Sequence, residues 1–314
     1  MSFATNVKSE LITVKANTCC ELAELAALLR INGEVTISSN GVRIDFHTTN
    51  IGVARHVVER VKRLYKTEVE LLSKKQMKLQ KNDIYIIKVA HKANTIVHEC
   101  GLMDDYDNMM KDPLLVKDCC KKAYLRGAFL AAGSINSPRS SSYHLEIHTN
   151  YEAHAQAIMS LLNYFDLNAK YISRKNGYIA YIKESERISD FLRLTGATSA
   201  LFTYEDERIK RDFVNSITRV MNMDIANQNK TLEAANKQLK SISILENTLD
   251  ISTLNKSVQE AIKLRKSYPE SSLKELSQLS EDLIGKKVSK SALNHRFRNI
   301  NELATEIMEE MDYE

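Results

Sequence analysis

Between Lys286 and Arg298 the chain carries five bases, Lys286, Lys287, Lys290, Arg296 and Arg298, and no acid. Ser289, Ser291, Asn294 and His295 are interleaved with them. Ammonium and guanidinium groups neutralise phosphates, while Asn and Arg can bond base edges in bidentate fashion, so the segment has the chemistry of a DNA reader. The same composition also suits the solvated outer face of a protein-interaction bundle. Cysteine is the second reactive type: Cys19, Cys20, Cys100, Cys119 and Cys120. Two adjacent pairs and a single residue lack the usual intervals of a zinc site, so their spacing predicts no metal and no other cofactor, only reduced and mostly buried thiols. The sequence has no phosphate-loop lysine motif, no Gly-x-Gly-x-x-Gly, no Gly-x-Ser-x-Gly and no His-Glu-x-x-His, which removes the common nucleotide-binding, hydrolase and metalloprotease classes and leaves no catalytic residue to name.

The elements that must position the basic segment are helical. Residues 252–267 carry an apolar stripe of Leu254, Val258, Ala261 and Ile262 and stop before Pro269. Ser272 and Glu275 stand at capping-box spacing and open a short helix whose buried side is Leu273, Leu276 and Leu279. Leu283 to Gly285 supplies a glycine-containing turn, and Ser289 can cap a third helix running to about Glu310, with a break expected near Asn299. On that helix Leu293, Phe297 and Ile300 share one face, which turns Ser291, Asn294, His295 and Arg298 outward and puts Lys290 and Arg296 on the flanks. Lys274, Lys286 and Lys287 add bases on the preceding elements. These parts, in this order, are those of a helix-turn-helix, with the helix start near Ser289 favourable for phosphate.

Upstream, the chain resembles itself at an offset of one hundred residues. Cys19, Cys20, Ala23, Leu25 and Gly33 recur as Cys119, Cys120, Ala123, Leu125 and Gly133, and Arg43 to Asn50 resembles His144 to Asn150. Each copy reads as helix, hairpin, helix, hairpin, helix. Helices are expected at 18–32 and 116–132, each closed by a C-capping glycine, with hairpins around Asn40–Gly41 and Pro138 and a strand at 142–148. Ala23 with Ala27, and Ala123 with Gly127, lie four apart, so each pair lets a neighbouring helix backbone come close. His47 and His148 recur beside Thr48 and Thr149, as one fold template used twice would produce.

Leu25–Gly33 and Leu125–Gly133 resemble two degenerate copies of the LAGLIDADG motif of homing endonucleases. That resemblance implies motif helices at the interface between halves and, in those enzymes, an acid before the final glycine that holds divalent metal. Asn32 and Ala132 occupy that position here, so no metal ligands and no catalytic residues are expected. A metal-dependent endonuclease is the reading this disfavours. The degenerate LAGLIDADG region, the run from Asp224 to Gln238 and the segment Leu273 to Arg298 together resemble the WhiA family of bacterial DNA-binding regulators over almost the whole chain. The resemblance implies a non-enzymatic transcriptional regulator acting in sporulation, cell division or chromosome segregation, with double-stranded DNA as partner. Other regulatory proteins could meet the N-terminal domain.

With 314 residues, 43% hydrophobic and 27% charged, two domains of ordinary soluble composition are expected. The expected class is α+β: a pseudo-twofold duplicated LAGLIDADG-like domain at 1–220, with repeats at about 18–100 and 118–195, a helical linker at 221–250, and an all-α helix-turn-helix domain at 251–314. Residues 251–300 hold 10 Lys+Arg against 5 Asp+Glu, whereas residues 301–314 hold six acids and no base, a solvated helix end. Residues 59–92 are basic as well, which keeps an N-terminal DNA contact open. No apolar run is long enough for a membrane span, and the first residues lack an export signal, so a cytoplasmic, nucleoid-associated protein is expected.

Overall fold

A computed structural model describes residues 2–39, 41–74 and 83–312. Asn40 of the expected turn, residues 75–82 of the basic stretch and Glu314 of the acidic end lie outside the described residues. The chain forms two compact units, Met1–Asp212 and Phe213–Glu314.

In the first unit α1 (Phe3–Leu11) is capped by Ser2, whose hydroxyl accepts from the Thr5 N–H at 3.2 Å. Two repeats follow. The first is α2 (Thr18–Asn32), β1 (Gly33–Ser38), β2 (Gly41–Thr48), α3 (Ile51–Tyr65), β3 (Glu70–Lys74), β4 (Ile84–Val89) and α4 (Ala93–Glu99). The second is α5 (Asp118–Ala132), β5 (Gly133–Ile135), β6 (Leu145–Thr149), α6 (Glu152–Asn163), β7 (Lys170–Arg174), β8 (Gly177–Ile182) and α7 (Ser185–Thr195). Each repeat makes one antiparallel four-stranded sheet, in the orders β1-β2-β4-β3 and β5-β6-β8-β7. Alternation sends Ile44, Phe46, Ile87 and Val89 of one sheet, and Leu145, Ile147, Ala180 and Ile182 of the other, into a common core. This is the duplicated α+β architecture the repeat implies.

α2 and α5 pack on each other through the predicted small residues, and Ala23, Ala27 and Ala123 are buried. A Cβ on Gly127 would stand 3.0 Å from the Ala27 Cβ and collide with the Glu24 carbonyl oxygen. Close backbone approach therefore explains a glycine inside a helix, where it otherwise costs about 1 kcal/mol against Ala. Gly33 and Gly133 are the C-caps of α2 and α5, as expected, but in extended rather than left-handed conformation, with φ of −93° and −77°, and they begin β1 and β5. Their need for glycine is steric, because a Cβ would strike the Leu29 carbonyl in one case and the Phe129 ring in the other. The strand expected at 142–148 is Leu145–Thr149; just before it the His144 carbonyl accepts from the Asn136 N–H at 2.9 Å, and Arg211 donates to the carbonyls of Ser140 and Ser141 at 2.7 and 2.8 Å.

The cysteines are free and mostly buried, as expected: Cys20, Cys100 and Cys120 are buried and Cys19 and Cys119 exposed, and the two adjacent pairs meet where α2 and α5 begin.

His154 on α6 is completely buried, with Nε2 2.9 Å from the Tyr124 hydroxyl, Nδ1 3.2 Å from Thr149 Oγ1 and the Tyr106 ring stacked on it at 4.1 Å. Burial, helped by the nearby Arg30 charge, pushes its pKa down to about 3. The unfolded chain takes up this proton near pH 6.5 and the folded one does not. The resulting stability is therefore full above about pH 6.5 and falls as pH drops toward 3, by roughly 2 kcal/mol at about pH 5. Urea unfolding of wild type and His154→Gln across this range should show the two curves converging as pH falls; parallel curves would refute the assignment.

The second unit begins inside α8 (Thr198–Thr248), which runs unbroken from residue 221 to Thr248 and buries Ala235, Ile242 and Leu245. After a short 3-10 turn at Ile251–Thr253 come α9 (Lys256–Ser267), α10 (Leu273–Ile284) and α11 (Lys290–Asp312). α11 is continuous, so the break expected near Asn299 does not occur. Phe297, Ile300 and Ala304 are buried on either side of Asn299 and hold the helix to one core through that point.

Candidate nucleic-acid interface

The junctions of the helix-turn-helix are made by residues the local sequence supplies. Ser272 Oγ accepts from the Glu275 N–H at 3.2 Å while the Ser272 N–H donates to Glu275 Oε2 at 2.7 Å, a complete capping box that starts α10. Gly285 ends it with φ +74°, the left-handed conformation that glycine adopts without strain. Beyond the turn, Val288 is clamped from both sides: its N–H donates to Ser280 Oγ at 2.8 Å, and its carbonyl accepts from Ser277 Oγ at 2.7 Å. Ser289 then caps α11, its hydroxyl accepting from the Ala292 N–H at 3.2 Å. Leu293, Phe297 and Ile300 are buried against Leu276, Val258, Ala261 and Leu264.

With that core fixed, Ser291, Asn294, His295 and Arg298 lie exposed on the opposite face of α11, and Lys274, Lys287, Ser289 and Lys290 are exposed around it. Arg298 Nε donates to Glu302 Oε1 at 2.9 Å, an exposed pair one turn apart, and both side chains remain largely in solvent. Besides Ser289 in its cap and Arg298 in this exposed pair, two more of the ten residues singled out are engaged inside the module. Arg296, its side chain 16% exposed, donates to Glu260 Oε2 at 3.1 Å, and Lys286 reaches the other oxygen of Glu260 at 2.9 Å. Lys286, with Arg296 behind it, holds the Glu260 carboxyl below the usual range. These two bases tie α9 to the turn and to α11.

Arg265, near the end of α9, is a residue the sequence alone does not single out. It is 1% exposed and donates to Gln238 Oε1 at 2.9 Å and to the Ser271 carbonyl at 2.5 Å, with its guanidinium 5.3 Å from the centre of the Phe297 ring. A base next to a proline turn at the end of an apolar stripe was the only available signal.

At the far ends of the motif helices, Asn32 Nδ2 donates to the Ala131 carbonyl at 3.0 Å, so the amide at the metal-holding position links the two halves. A groove of about 770 Å³ opens there, lined by Lys8, Asn32, Glu34, His47, Ala131 and Tyr151 among others. Glu34 is the one acid among its described lining residues, and Lys8, pushed down to about 8 by burial, stands on the same wall. A hydrolytic divalent-metal centre needs several carboxylate oxygens, and this donor set does not fit one.

Fold and sites together define a class: a duplicated LAGLIDADG-like domain without the metal-holding acids, joined to a C-terminal helix-turn-helix. Family profiles described as the WhiA N-terminal LAGLIDADG-like domain, the WhiA LAGLIDADG-like domain and the WhiA C-terminal HTH domain match residues 18–103, 121–214 and 217–304. Proteins named "Probable cell division protein WhiA" are 45% identical over 310 residues in Oceanobacillus iheyensis, covering 98% of each chain, and 42% identical over 315 residues in Brevibacillus brevis, covering 99% of each. The chain belongs to the WhiA family. The crystal structure of full-length WhiA from Thermatoga maritima has the same fold, with a TM-score of 0.59 at 22% identity over 98% of this chain and 99% of that one.

Proposed function

We propose that this chain is a non-enzymatic regulator of transcription that binds double-stranded DNA, with the outer face of α11 in the major groove. The observation that carries the reading is the division of α11: Leu293, Phe297 and Ile300 are buried while Ser291, Asn294, His295 and Arg298 are exposed together. In this reading Asn294 and Arg298 read base edges, Ser291 and His295 lie beside them, and Lys274, Lys287, Lys290 and the α11 N-terminus at Ser289 hold phosphates. Lys286 and Arg296 act through Glu260 by fixing the angle at which α11 is presented. The names of the Oceanobacillus and Brevibacillus relatives support a role in cell division, to which sporulation or chromosome segregation would be tied in a bacterium that undertakes them. Association with the nucleoid follows from the same reading, and among the described residues no helix is long and apolar enough to cross a membrane.

The test begins by selecting a preferred duplex from pooled genomic fragments with the full-length chain, followed by fluorescence anisotropy at several salt concentrations. Asn294→Ala and Arg298→Ala should each reduce preference for that duplex by about 1–3 kcal/mol, with little change on random DNA. Lys287→Ala and Lys290→Ala should weaken binding to both duplexes alike and lower the salt slope by about one each. Wild-type behaviour in all four variants would remove DNA from α11.

A further inference from the structure

The duplication creates a site that neither repeat contains. Cys19 and Cys20 occupy the first turn of α2, and Cys119 and Cys120 the first turn of α5. Because α2 and α5 pack side by side with equivalent residues adjacent, the four sulfurs converge and all lie within 4.8 Å of one another. Sγ–Sγ distances are 3.9 Å for Cys19–Cys20 and 4.0 Å for Cys119–Cys120. Zinc–sulfur bonds of about 2.3 Å make a tetrahedron whose sulfurs are about 3.8 Å apart, so the observed spacing is that of a cage for one ion. An iron–sulfur cluster would need a wider cage, since several irons and bridging sulfides must fit between the thiolates. A disulfide would need sulfurs at about 2.05 Å. Small residues, Ala16, Ala23 and Ala123, pack with Cys20 and Cys120 and keep the two helix starts this close.

We propose that Cys19, Cys20, Cys119 and Cys120 hold one divalent, thiophilic metal ion of the zinc type in a tetrahedral four-sulfur site that cross-links the two LAGLIDADG-like halves. Both helices present their positive ends to the sulfurs, which favours thiolates. Lys117 precedes α5, and Lys15, Lys122 and Arg126 line the groove beside Cys20 and Cys119. These cations offset the charge of four thiolates around a divalent ion. The exposed Cys19 and Cys119 leave a route for the ion to enter. Metal binding displaces the thiol protons, so affinity rises with pH.

Titration of the reduced, chelator-treated full-length chain with Co(II) under anaerobic conditions tests the site. The expected result is a sulfur-to-cobalt charge-transfer band with the intense visible bands of a tetrahedral thiolate complex, saturating at one ion per chain and bleached by Zn(II). Cys100→Ser should leave the spectrum unchanged. Cys19→Ser and Cys119→Ser, at exposed positions, should fold as judged by circular dichroism. Each should weaken binding by more than the roughly 10–100-fold that loss of a ligand's hydrogen-bond partner costs. The double variant should lose the bands, and Zn(II) should raise Tm for wild type and not for the double variant. Absence of the charge-transfer band, its survival in the double variant, a cluster containing labile sulfide, or disulfides among these cysteines with no metal uptake would each overturn the proposal.

Discussion

Glu24→Ala should destabilise the first unit by about 3–5 kcal/mol, the range found when one member of a buried ion-paired group is removed and its partners stay behind. Glu24 is 0% exposed on α2. One oxygen accepts from His56 Nε2 at 2.5 Å and from Arg60 Nε at 3.3 Å, both on α3, while the other accepts from Arg126 Nε on α5. Burial by itself would raise the Glu24 pKa; the hydrogen bond from His56 and the charge of Arg126 outweigh that and hold it below the ordinary value. The carboxylate is thus the common anion for three elements of both halves. Alanine leaves Arg126 and His56 in the interior without it, and Arg60 keeps only its 3.1 Å bond to Glu21. Glu24→Gln, which retains the shape and part of the hydrogen bonding, should lose less than alanine. Because the folded pKa is lowered, the carboxylate's contribution is present above the unfolded pKa of about 4.3 and disappears as pH falls through the folded value. Urea unfolding of the three proteins near neutral pH measures this. A loss under about 1 kcal/mol for Glu24→Ala would mean the network relaxes or hydrates, and that it does not join the halves.

The same network shows what could and could not be read from the sequence. Local, periodic features were readable: the repeat, the strand alternation, the capping box at Ser272 and Glu275, and the inward face of Leu293, Phe297 and Ile300. Each depends on residues within a few positions of one another. Glu21 and Glu24 depend on neighbours that lie far away in the chain. A carboxylate in a helix reads as solvent-facing unless the helix is buried on all sides, and α2 is buried on all sides because α5, α3 and the sheet surround it. The convergence of the four cysteines was hidden for a related reason: spacing within one copy says nothing of sulfurs brought together from two copies. The offset of one hundred, combined with small residues predicting a close α2–α5 approach, already implied that equivalent first turns would meet. Gly33 and Gly133 read as C-caps from the sequence, whereas their extended backbone and the contacts that exclude a Cβ come only with packing. Lys286 and Arg296 look like free bases in sequence, and only the fold brings Glu260 to both.

Arg265→Ala should be the most damaging single change in the second unit, by about 2–4 kcal/mol, although Arg265 reaches no exposed surface. Its guanidinium donates only to neutral oxygens: Gln238 Oε1 on α8 and the carbonyls of Tyr268, Pro269 and Ser271 in the turn that leads into α10. Burial lowers its pKa, yet an arginine stays charged, so the fold accepts a desolvated cation in return for fixing three carbonyls and covering one face of Phe297. Removing the side chain takes the guanidinium from the Pro269 and Ser271 carbonyls and from Gln238, leaves the Tyr268 carbonyl only the Ser271 N–H, and opens a void beside Phe297, the residue that seats α11. Arg265→Lys should not restore stability, because one ammonium on a flexible stem cannot fill a planar fork of donors and cover an aromatic ring at once. The consequence for DNA is specific. Arg265→Ala should weaken binding to the selected duplex in proportion to the folded fraction lost, while the surviving population keeps the wild-type salt slope, since no phosphate contact has been removed. Thermal unfolding together with anisotropy at two salt concentrations separates these outcomes. A reduced salt slope at full folding would make Arg265 part of the contact surface and would overturn its assignment as the core tie that positions α11.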